Sequence, residues 1–319
     1  MSAYSRCARL RSLAKVNLSL LVLHKRPDGY HELRTVFQTI SLADTIEIEF
    51  NPGPSRSVEI ESALDIPDNL IVRAANLLMD ELKIRGRVHF CLEKSIPMGG
   101  GLGGGSSNAA AVLLALPVLA GVFADLPKLT ALGEQLGADV PFFLHGGTAL
   151  GIGRGTELYP LPELPQRPAV LVAPTIHVST PDAYRALNRG LTVDAMPGRM
   201  NSLQGFAWRS GAPASLGAWG GGNDFETVVF RQYPLLGTIK RKLLKAGACP
   251  ALMTGSGAAI FGVFDSAGER NRAMGLLGRE RAYPARLVNR RSYRALWWRQ
   301  LRNHIAEKRW PPQSRYLKK

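Results

Sequence analysis

The chain contains 319 residues, of which 45% are hydrophobic and 20% are charged. These proportions exclude a largely disordered chain and are typical of a globular protein with room for two domains. The formal net charge is +15, of which residues 290–319 supply +9 through ten Lys/Arg and one acid. The +6 left for the rest of the chain suits anionic ligands and does not by itself indicate a nucleic-acid polymer.

The cysteines and the most apolar segment bear on the cellular setting. Cys7, Cys91 and Cys249 lie far apart with no C-x-x-C pair, which favours a reducing cytoplasm and argues against a structural metal site. The apolar run 109–124 has about 16 residues and is broken by Pro117, whereas a membrane span needs about 20. We therefore expect a cytoplasmic protein with no membrane partner, and a buried helix at this run.

Hydrophobic periodicity predicts both strands and helices in the first half of the chain. Alternation with period two indicates a strand, and a period of 3.6 residues indicates a helix. The predicted strands are 14–22, 45–50, 57–60 and 87–94, followed by glycine-rich strands up to Ile152. The predicted helices are 69–82 with Asn69 as its cap, 106–116 with Ser106 or Ser107 as its cap, and 126–136.

A proline-rich segment separates this half from a second one. Four prolines within residues 158–168 indicate a domain boundary. Beyond it, the predicted strands are 169–172, 259–264 and 286–288, the predicted helices are 180–187, 233–245 and 267–277, and residues 223–226 are expected to start a further helix. Strands interleaved with helices indicate a small second domain of mixed α/β type.

A glycine-rich loop, Pro97–Asn108, joins the strand at 87–94 to the apolar helix that follows. Six glycines among residues 99–105 carry too much backbone entropy for an ordinary connection. Without Cβ atoms, successive N–H groups can converge on a phosphate, and the N-terminus of the next helix adds positive charge. We therefore predict a nucleoside triphosphate site, with Ser106 and Ser107 adding hydroxyl donors.

Other interpretations of this loop fit less well. Gly99, Gly101 and Gly104 match the dinucleotide pattern G-x-G-x-x-G, and Asp125 follows about 20 residues later. However, Asp125 precedes a helix and does not end a second strand. The Walker A motif fails because Ser106 stands where that motif requires Lys. A flexible linker is disfavoured between a strand and an apolar helix.

The loop at 97–109 closely resembles the ATP-binding motif of the GHMP kinase superfamily. Four further segments resemble one family within it, the kinases that act on 4-diphosphocytidyl-2-C-methyl-D-erythritol (CDP-methylerythritol) in the non-mevalonate isoprenoid pathway. In chain order these segments are 14–18, 26–33, 136–142 and 253–258. The resemblance extends from about Ser12 to about Arg290.

The resemblance implies a fold and an activity. The fold is α+β, a two-domain GHMP kinase with an N-terminal domain like domain 2 of ribosomal protein S5 and a ferredoxin-like α/β C-terminal domain. We expect an ATP-binding and catalytic domain at 1–160, a substrate-side domain at 161–289 and a basic Trp/Arg-rich extension at 290–319. The implied reaction transfers a phosphoryl group from ATP, with Mg²⁺, to the 2-hydroxyl of CDP-methylerythritol.

Two charged residues in apolar surroundings receive catalytic roles from the resemblance. Taken alone, Lys15 could extend from a strand edge to solvent, and Asp139 could be a turn residue at a helix end. In the family the matching lysine stabilises the transferred charge or a developing alkoxide, and the matching aspartate accepts or orients the hydroxyl proton. We expect the two to form an ion pair drawn from distant segments, because each lessens the cost of burying the other.

The remaining site residues also follow from the resemblance. The candidate ATP-binding residues are Pro97, Met98, Gly99, Gly100, Gly101, Leu102, Gly103, Gly104, Gly105, Ser106 and Ser107. The candidate substrate-binding residues are Asn17, Tyr30, His31, Thr180, Tyr184, Gly255 and Ser256. Alone, Tyr30 and His31 could equally be incidental surface residues, whereas in the family they hold cytosine by stacking and hydrogen bonding, opposite an aromatic at Tyr184. No residue is assigned as a metal ligand.

Two other functions stay open at this point. Homoserine kinase would share the glycine loop but would not need an aromatic clamp. A nucleic-acid-binding protein could use the tail 290–319, whose arginines and tryptophans can grip phosphates and stack on bases. We favour a solvated or partner-docking role for that tail and expect no nucleic-acid partner, with monomer and homodimer both open.

Overall fold

The computed structural model describes residues 5–187 and 222–317, which form two β-sheets surrounded by helices. The first sheet contains β1 (Arg6–Lys25), β2 (His31–Pro52), β3 (Arg56–Ser62), β4 (Gly86–Glu93), β5 (Thr148–Gly153) and β6 (Glu157–Pro160). Its order is β3-β4-β2-β5-β6, with β1 paired to β2. The accompanying helices are α1 (Leu70–Glu81), α2 (Gly104–Ala120), α3 (Leu126–Leu136) and α4 (Val140–His145).

The second sheet has the order β10-β7-β9-β8, and all its neighbouring strands are antiparallel. Its strands are β7 (Pro168–Val172), β8 (Ala251–Met253), β9 (Ile260–Val263) and β10 (Ala282–Arg286). The helices of this half are α5 (Thr180–Leu187), α6 (Glu226–Gln232), α7 (Pro234–Lys245) and α8 (Ala267–Leu276), and α9 (Arg290–Gln300) follows β10.

The long hairpin of β1 and β2 organises the molecule. Strand β2 pairs with β1 along one edge, and its other edge pairs with β5 near its start and with β4 near its end. Strand β1 shifts register between Leu13 and Lys15 and again between Asn17 and Ser19. Such bulges change the direction in which nearby side chains point and are common beside active sites.

Two of the buried clusters that meet at this hairpin flank Lys15. One joins the first sheet to α1–α4, and α2 is buried along nearly its whole length, as predicted for the apolar run. In the other, Ala14, Val16 and Leu18 of β1 pack against Leu171 and Phe261 of the second sheet. The residues flanking Lys15 therefore join the two halves of the protein. Within residues 5–187 and 222–317, no helix is long and apolar enough to cross a membrane.

Most predicted elements are confirmed, but two details are wrong. Helices α3 and α5 have the predicted bounds, and Asn69 caps α1 by accepting a hydrogen bond from the Ile71 N–H at 3.0 Å. Neither Ser106 nor Ser107 caps α2. That helix begins earlier because Gly103, at φ +67°, adopts a left-handed conformation and ends the loop before the serines.

The last strand also lies earlier than predicted. Residues 286–288 were expected to form it, but β10 pairs with β7 from Ala282 to Arg286. Leu287 instead forms an isolated bridge to Ile40 of β2. A proline within β10, Pro284, is tolerated because β10 is an edge strand of this sheet.

The tail beyond residue 290 is not a solvated extension. Three apolar residues recur at four-residue spacing along and just past α9, namely Tyr293, Trp297 and Leu301. All three are buried in the cluster that joins the first sheet to α1–α4, which we call the first core. Trp310 packs edge-on against Tyr293 with ring centroids 6.2 Å apart. Basic residues that dominate the composition occupy the remaining faces, which is why composition alone suggested a solvated segment.

Candidate active site

The glycine loop lies between β4 and α2 and is pressed against the second half of the protein. Gly99, Gly101 and Gly103 have φ values of +70°, +73° and +67°, which residues with side chains rarely adopt. A Cβ atom at Gly101 would lie 2.3 Å from the carbonyl oxygen of Thr254. Glycine is therefore required at Gly101 by both conformation and space.

A buried carboxylate holds the entrance of this loop. Asp44 is fully buried and accepts hydrogen bonds from the N–H groups of Ser95 and Ile96, each at 2.8 Å. The same carboxylate accepts from Lys94 Nζ and from Asn108 Nδ2, so it links β2, the loop and α2. No local pattern indicated this role, because the groups that Asp44 binds lie 50 or more positions away along the chain.

The two serines of the loop differ in their surroundings. Ser107 is buried, and its hydroxyl donates to the Leu13 carbonyl oxygen at 2.7 Å, so it anchors α2 to β1. Ser106 lines a cavity beside Lys15. Helix α2 has no side-chain cap, which leaves its first-turn N–H groups free of side-chain partners and suited to an anion. Only Ser106 of the expected hydroxyl donors thus faces a cavity.

Lys15 and Asp139 come together as expected. Lys15 Nζ lies 3.4 Å from Asp139 Oδ2, and the two side chains are 5% and 33% exposed. Strand β1 bulges at Lys15, whose N–H donates to the Leu102 carbonyl oxygen of the glycine loop at 3.0 Å. Asp139 is the residue before α4, so the N-terminus of a short helix presents its carboxylate. The pair thus joins a strand, a helix and the loop.

Asn17 connects this pair to the second half of the protein. Its Oδ1 accepts hydrogen bonds from Lys15 Nζ at 2.8 Å, from Gly255 N at 2.9 Å and from Thr254 Oγ1 at 3.1 Å. Its Nδ2 donates to Thr35 Oγ1 at 2.7 Å. Asn17 lines the cavity beside Lys15, and these hydrogen bonds make it a residue that orients Lys15. Thr254 also belongs to this network, and the sequence did not predict its role.

The residues around Lys15 and Asp139 enclose a cavity of about 340 Å³, which we call the transfer cavity. A second one of about 670 Å³, the aromatic cavity, adjoins it. The walls that the two cavities share are formed by Leu33, Ala138, Arg154, Thr180 and Tyr184. A molecule with a flat base at one end and a hydroxyl at the other can therefore occupy both cavities.

Tyr30, His31 and Tyr184 all line the aromatic cavity, but His31 and Tyr184 are in direct contact and do not face each other across a gap for a base as expected. His31 stacks on Tyr184 with ring centroids 4.6 Å apart and an interplanar angle of 24°. Burial lowers the pKa of His31, with smaller contributions from Lys25 and His24. Burial and the nearby charge of Asp139 raise the pKa of Tyr184 to about 12. Both rings are therefore neutral near pH 7, as recognition of an uncharged base requires.

Tyr30 lies at the mouth of the aromatic cavity. It is 52% exposed, and the Arg154 guanidinium lies over its ring, 3.6 Å from the centroid. The turn before it is held by the Asp28 carboxylate, which accepts from the Tyr30 N–H at 3.1 Å. Arg154 was not among the sequence candidates, because nothing in the local pattern shows that it borders both cavities.

The other candidates meet where the two halves of the protein face each other. Thr180 Oγ1 and Ser256 Oγ lie 2.8 Å apart, and both residues line the transfer cavity. A Cβ atom at Gly255 would lie 3.0 Å from the Cα of Gly101, so the segment at Gly255 approaches the glycine loop closely. At the outer end of that loop, Met98 is 63% exposed.

One trio within the described ranges has the side chains and spacing of a metal site. Glu61, His89 and Cys91 place one ligand atom each within 4.8 Å of one another. Strand register brings them together, since Glu61 and Cys91 are paired on β3 and β4. None of the three lines the transfer or aromatic cavity. This trio thus has no part in the candidate active site.

Comparison with known proteins defines the class. Family models match the chain for the GHMP kinases N terminal domain over residues 69–147 and for the GHMP kinases C terminal over residues 209–275. A homoserine kinase structure from Cytophaga hutchinsonii shares the fold with a TM-score of 0.66 at 19% identity, covering 88% of this chain and 97% of that one. The fold and the glycine-loop site are those of a GHMP kinase.

More similar relatives narrow the class. The 4-diphosphocytidyl-2-C-methyl-D-erythritol kinase of Solibacter usitatus is 54% identical over 316 residues, which is 98% of each chain. The enzyme of that name from Geobacter sulfurreducens is 42% identical over 80% of this chain and 89% of its own. A crystal structure of 4-(cytidine 5'-diphospho)-2C-methyl-D-erythritol kinase has a TM-score of 0.72 at 38% identity, covering 88% of this chain and 98% of that chain. This chain belongs to the 4-diphosphocytidyl-2-C-methyl-D-erythritol kinase family.

Proposed function

We propose that the chain transfers the γ-phosphoryl group of ATP to the 2-hydroxyl of CDP-methylerythritol, with Lys15 and Asp139 as the reacting pair. The substrate is the one that the names of the relatives carry. The observation that supports the residue roles is the 3.4 Å contact between Lys15 Nζ and Asp139 Oδ2 in the transfer cavity, directly beside the aromatic cavity. That arrangement supports a role for Asp139 as a base and for Lys15 as a cation beside the acceptor alcohol.

The two residues divide the chemistry. The acceptor hydroxyl gives its proton to the Asp139 carboxylate as its oxygen bonds to the γ-phosphorus, and the bond to the leaving ADP breaks. The Lys15 ammonium group stays directed at this point because it donates a hydrogen bond to Asn17 Oδ1 at 2.8 Å. A fixed cation stabilises the charge that develops on the transferred group. A tertiary hydroxyl is crowded, so precise positioning contributes strongly to the rate.

The phosphates of ATP belong on the glycine loop. The uncapped first turn of α2 and the left-handed conformation at Gly103 present N–H groups to an anion. Mg²⁺ prefers oxygen ligands and usually takes most of them from phosphates and water. The Ser106 hydroxyl lines the transfer cavity and fits as its protein ligand. When bound, Mg²⁺ would neutralise charge on the phosphates.

The aromatic cavity recognises the cytidine end. Neutral His31 offers one donor and one acceptor, which suits the polar edge of cytosine, and Tyr184 and Tyr30 offer flat faces for stacking. Arg154 borders both cavities, so its guanidinium lies where a diphosphate would link the base to the alcohol.

A coupled ADP-release assay tests the function. We expect CDP-methylerythritol to support turnover, and homoserine and mevalonate to give kcat/KM values lower by at least about a hundredfold, because neither fills the aromatic cavity. We expect Asp139→Asn to lower kcat at least about a hundredfold with little change in KM, because the amide cannot accept the proton.

The matched control is Asp65→Asn, which makes the same change at an exposed residue that lines neither cavity and should leave kcat unchanged. Phosphorylation of homoserine in preference to the cytidine diphosphate substrate would contradict the proposed substrate. An unchanged kcat in Asp139→Asn would contradict the proposed base.

The setting expected from the sequence is retained in this proposal. All three cysteines are free, and Cys7 and Cys249 are exposed. Exposed free thiols persist in a reducing compartment. We accordingly propose that the enzyme works in the cytoplasm.

A further inference from the structure

The C-terminal end of helix α4 is held by side chains of the tail. Tyr293 OH donates to the Phe143 carbonyl oxygen at 2.5 Å, and Trp310 Nε1 donates to the Leu144 carbonyl oxygen at 3.1 Å. Arg290 donates through Nε to the Gly146 carbonyl oxygen at 3.2 Å and through Nη2 to the Thr148 carbonyl oxygen at 2.6 Å. We call Arg290, Tyr293 and Trp310 the tail clamp.

Two of these carbonyl groups, those of Phe143 and Leu144, belong to the last turn of α4, and the Gly146 carbonyl group follows directly after it. The last four carbonyl groups of any α-helix lack intrahelical donors, and a helix of six residues is marginal without tertiary support. The guanidinium of Arg290 also carries positive charge to the negative end of the helix dipole. A Cβ atom at Gly146 would lie 2.3 Å from the Tyr293 ring, so this ring packs directly against the residue that ends α4.

The other end of α4 carries the proposed base. Asp139 is the N-cap residue, yet its carboxylate makes no capping hydrogen bond. Its position is therefore set by the helix backbone and by Lys15, 3.4 Å away. A six-residue helix is only about 9 Å long and moves as one body. Displacement of its C-terminal end therefore moves Asp139.

Helix α4 also touches the other parts of the active site. Phe143 lies so close to Gly103 that a Cβ atom there would be 2.8 Å from its ring. Phe142 packs on Phe37 with ring centroids 5.0 Å apart, and Lys15 Nζ lies 5.2 Å from the centroid of Phe37. The helix thus connects the tail clamp to the base, the cation and the glycine loop.

The tail is itself firmly attached, so it can serve as a fixed support. Trp297 and Leu301 are buried in the first core. Arg290 forms an ion pair with Glu163 at 2.8 Å, and the Arg290 N–H donates to the same carboxylate at 2.8 Å. Glu163 therefore holds Arg290 in place independently of its bonds at the end of α4.

We propose that the tail clamp is a positioning element for catalysis: Arg290, Tyr293 and Trp310 fix helix α4 and thereby set where the Asp139 carboxylate meets the acceptor hydroxyl. This inference rests on the proposed function, in which Asp139 is the base. None of the three clamp residues lines the transfer cavity or the aromatic cavity. Their effect reaches the reaction through the placement of one carboxylate.

Two conservative variants test the clamp. Tyr293→Phe removes one hydroxyl donor and keeps the ring, and Arg290→Met removes the two guanidinium bonds to carbonyl groups together with the ion pair to Glu163. We expect each to lower kcat about tenfold, because small misplacements of a catalytic group are costly, while KM for both substrates changes less than about twofold. Arg291→Met is the matched control, since it removes the same charge from an exposed residue of α9 and should leave kcat unchanged.

A double-mutant cycle separates positioning from loss of folded protein. In an Asp139→Asn background the carboxylate is absent, so we expect Tyr293→Phe and Arg290→Met to cause no further loss of kcat. An equal factor in both backgrounds would overturn the proposal, as would an effect of Arg290→Met no larger than that of Arg291→Met. A normal kcat in Asp139→Asn itself would instead count against the proposed function.

Discussion

At the scale of single residues, the active site depends on how the protein stabilises the charge of the buried Lys15. Lys15 is 5% exposed, and an isolated ammonium would be costly there. The cost is offset by Asn17 Oδ1 at 2.8 Å and Asp139 at 3.4 Å. Asn17 in turn is held by Thr35 and Gly255, so the lysine has little freedom to leave its position.

His31 leads to a prediction about pH. Its lowered pKa means that the imidazole is half protonated at a pH below the ordinary value of 6.5, so it is mostly neutral between pH 6.5 and pH 8. We expect KM for CDP-methylerythritol to be constant over that range and to rise at lower pH, where His31 becomes charged and loses its acceptor.

Steady-state kinetics between pH 5 and 8 check this prediction. His31→Gln keeps a donor and an acceptor but has no titrating group, so its KM should rise less on acidification. KM for ATP provides an internal control. A rise in KM that begins above pH 7, or one that is equal in His31→Gln, would contradict the assignment.

At the scale of elements, the glycine loop works through its fit against a neighbour as well as through its N–H groups. The Thr254 hydroxyl oxygen lies 3.2 Å from the Gly101 carbonyl oxygen and accepts a hydrogen bond from the Asn17 N–H at 3.1 Å. Asp44 fixes the entrance of the loop, and Ser107 fixes its exit to β1. The phosphate site is therefore continuous with the hydrogen-bond network that orients Lys15.

A pair of glycine substitutions tests that fit. Gly99 and Gly101 have nearly the same positive φ, so alanine strains both backbones alike. A Cβ atom meets the Thr254 carbonyl oxygen at 2.3 Å at Gly101, but at Gly99 the nearest atom is His177 Nδ1 at 3.6 Å. We expect Gly101→Ala to lower kcat/KM for ATP at least about tenfold more than Gly99→Ala, because only the former forces the loop away. Equal effects in the ADP-release assay would contradict this account.

At the scale of the whole molecule, the part of the tail up to residue 317 contributes to the core formed by the first sheet and α1–α4. Trp297 is 1% exposed and packs in the same cluster as α1–α4. Arg11 of β1 donates its N–H to Gln300 Oε1 at 2.8 Å, so β1 is joined to the end of α9. The sequence-based boundary at residue 290 separates a basic composition from the rest, but the packing continues across it.

Trp297→Ala tests this integration. Removal of a fully buried tryptophan leaves a cavity, so we expect the free energy of unfolding to fall by about 3–5 kcal/mol. Leu276→Ala is the control, since Leu276 is 65% exposed and its loss should change stability by less than about 0.5 kcal/mol. Urea denaturation followed by circular dichroism measures both. Equal midpoints for the two variants would show that the tail does not contribute to the core.

The sequence by itself determined what depends on neighbours along the chain. The sequence predicted the bounds of the helices α3 and α5 and the cap of α1 at Asn69. Helix propensity and capping act over only a few residues, so neighbours along the chain are enough to decide them. The glycine loop is likewise recognisable, since its backbone freedom is a local property. The pairing of Lys15 with Asp139 came from a resemblance, and no local rule joins residues so far apart.

Only the tertiary structure decided which polar groups remain free. Ser106 and Ser107 are adjacent and chemically identical, yet packing against β1 buries the hydroxyl of Ser107 and leaves Ser106 beside the transfer cavity. Arg154 borders both cavities because β5 ends there, and the basic tail becomes a core element because Tyr293 and Trp297 share one helix face. These outcomes depend on burial and hydrogen bonding between distant segments, and such contacts exist only after the chain has folded.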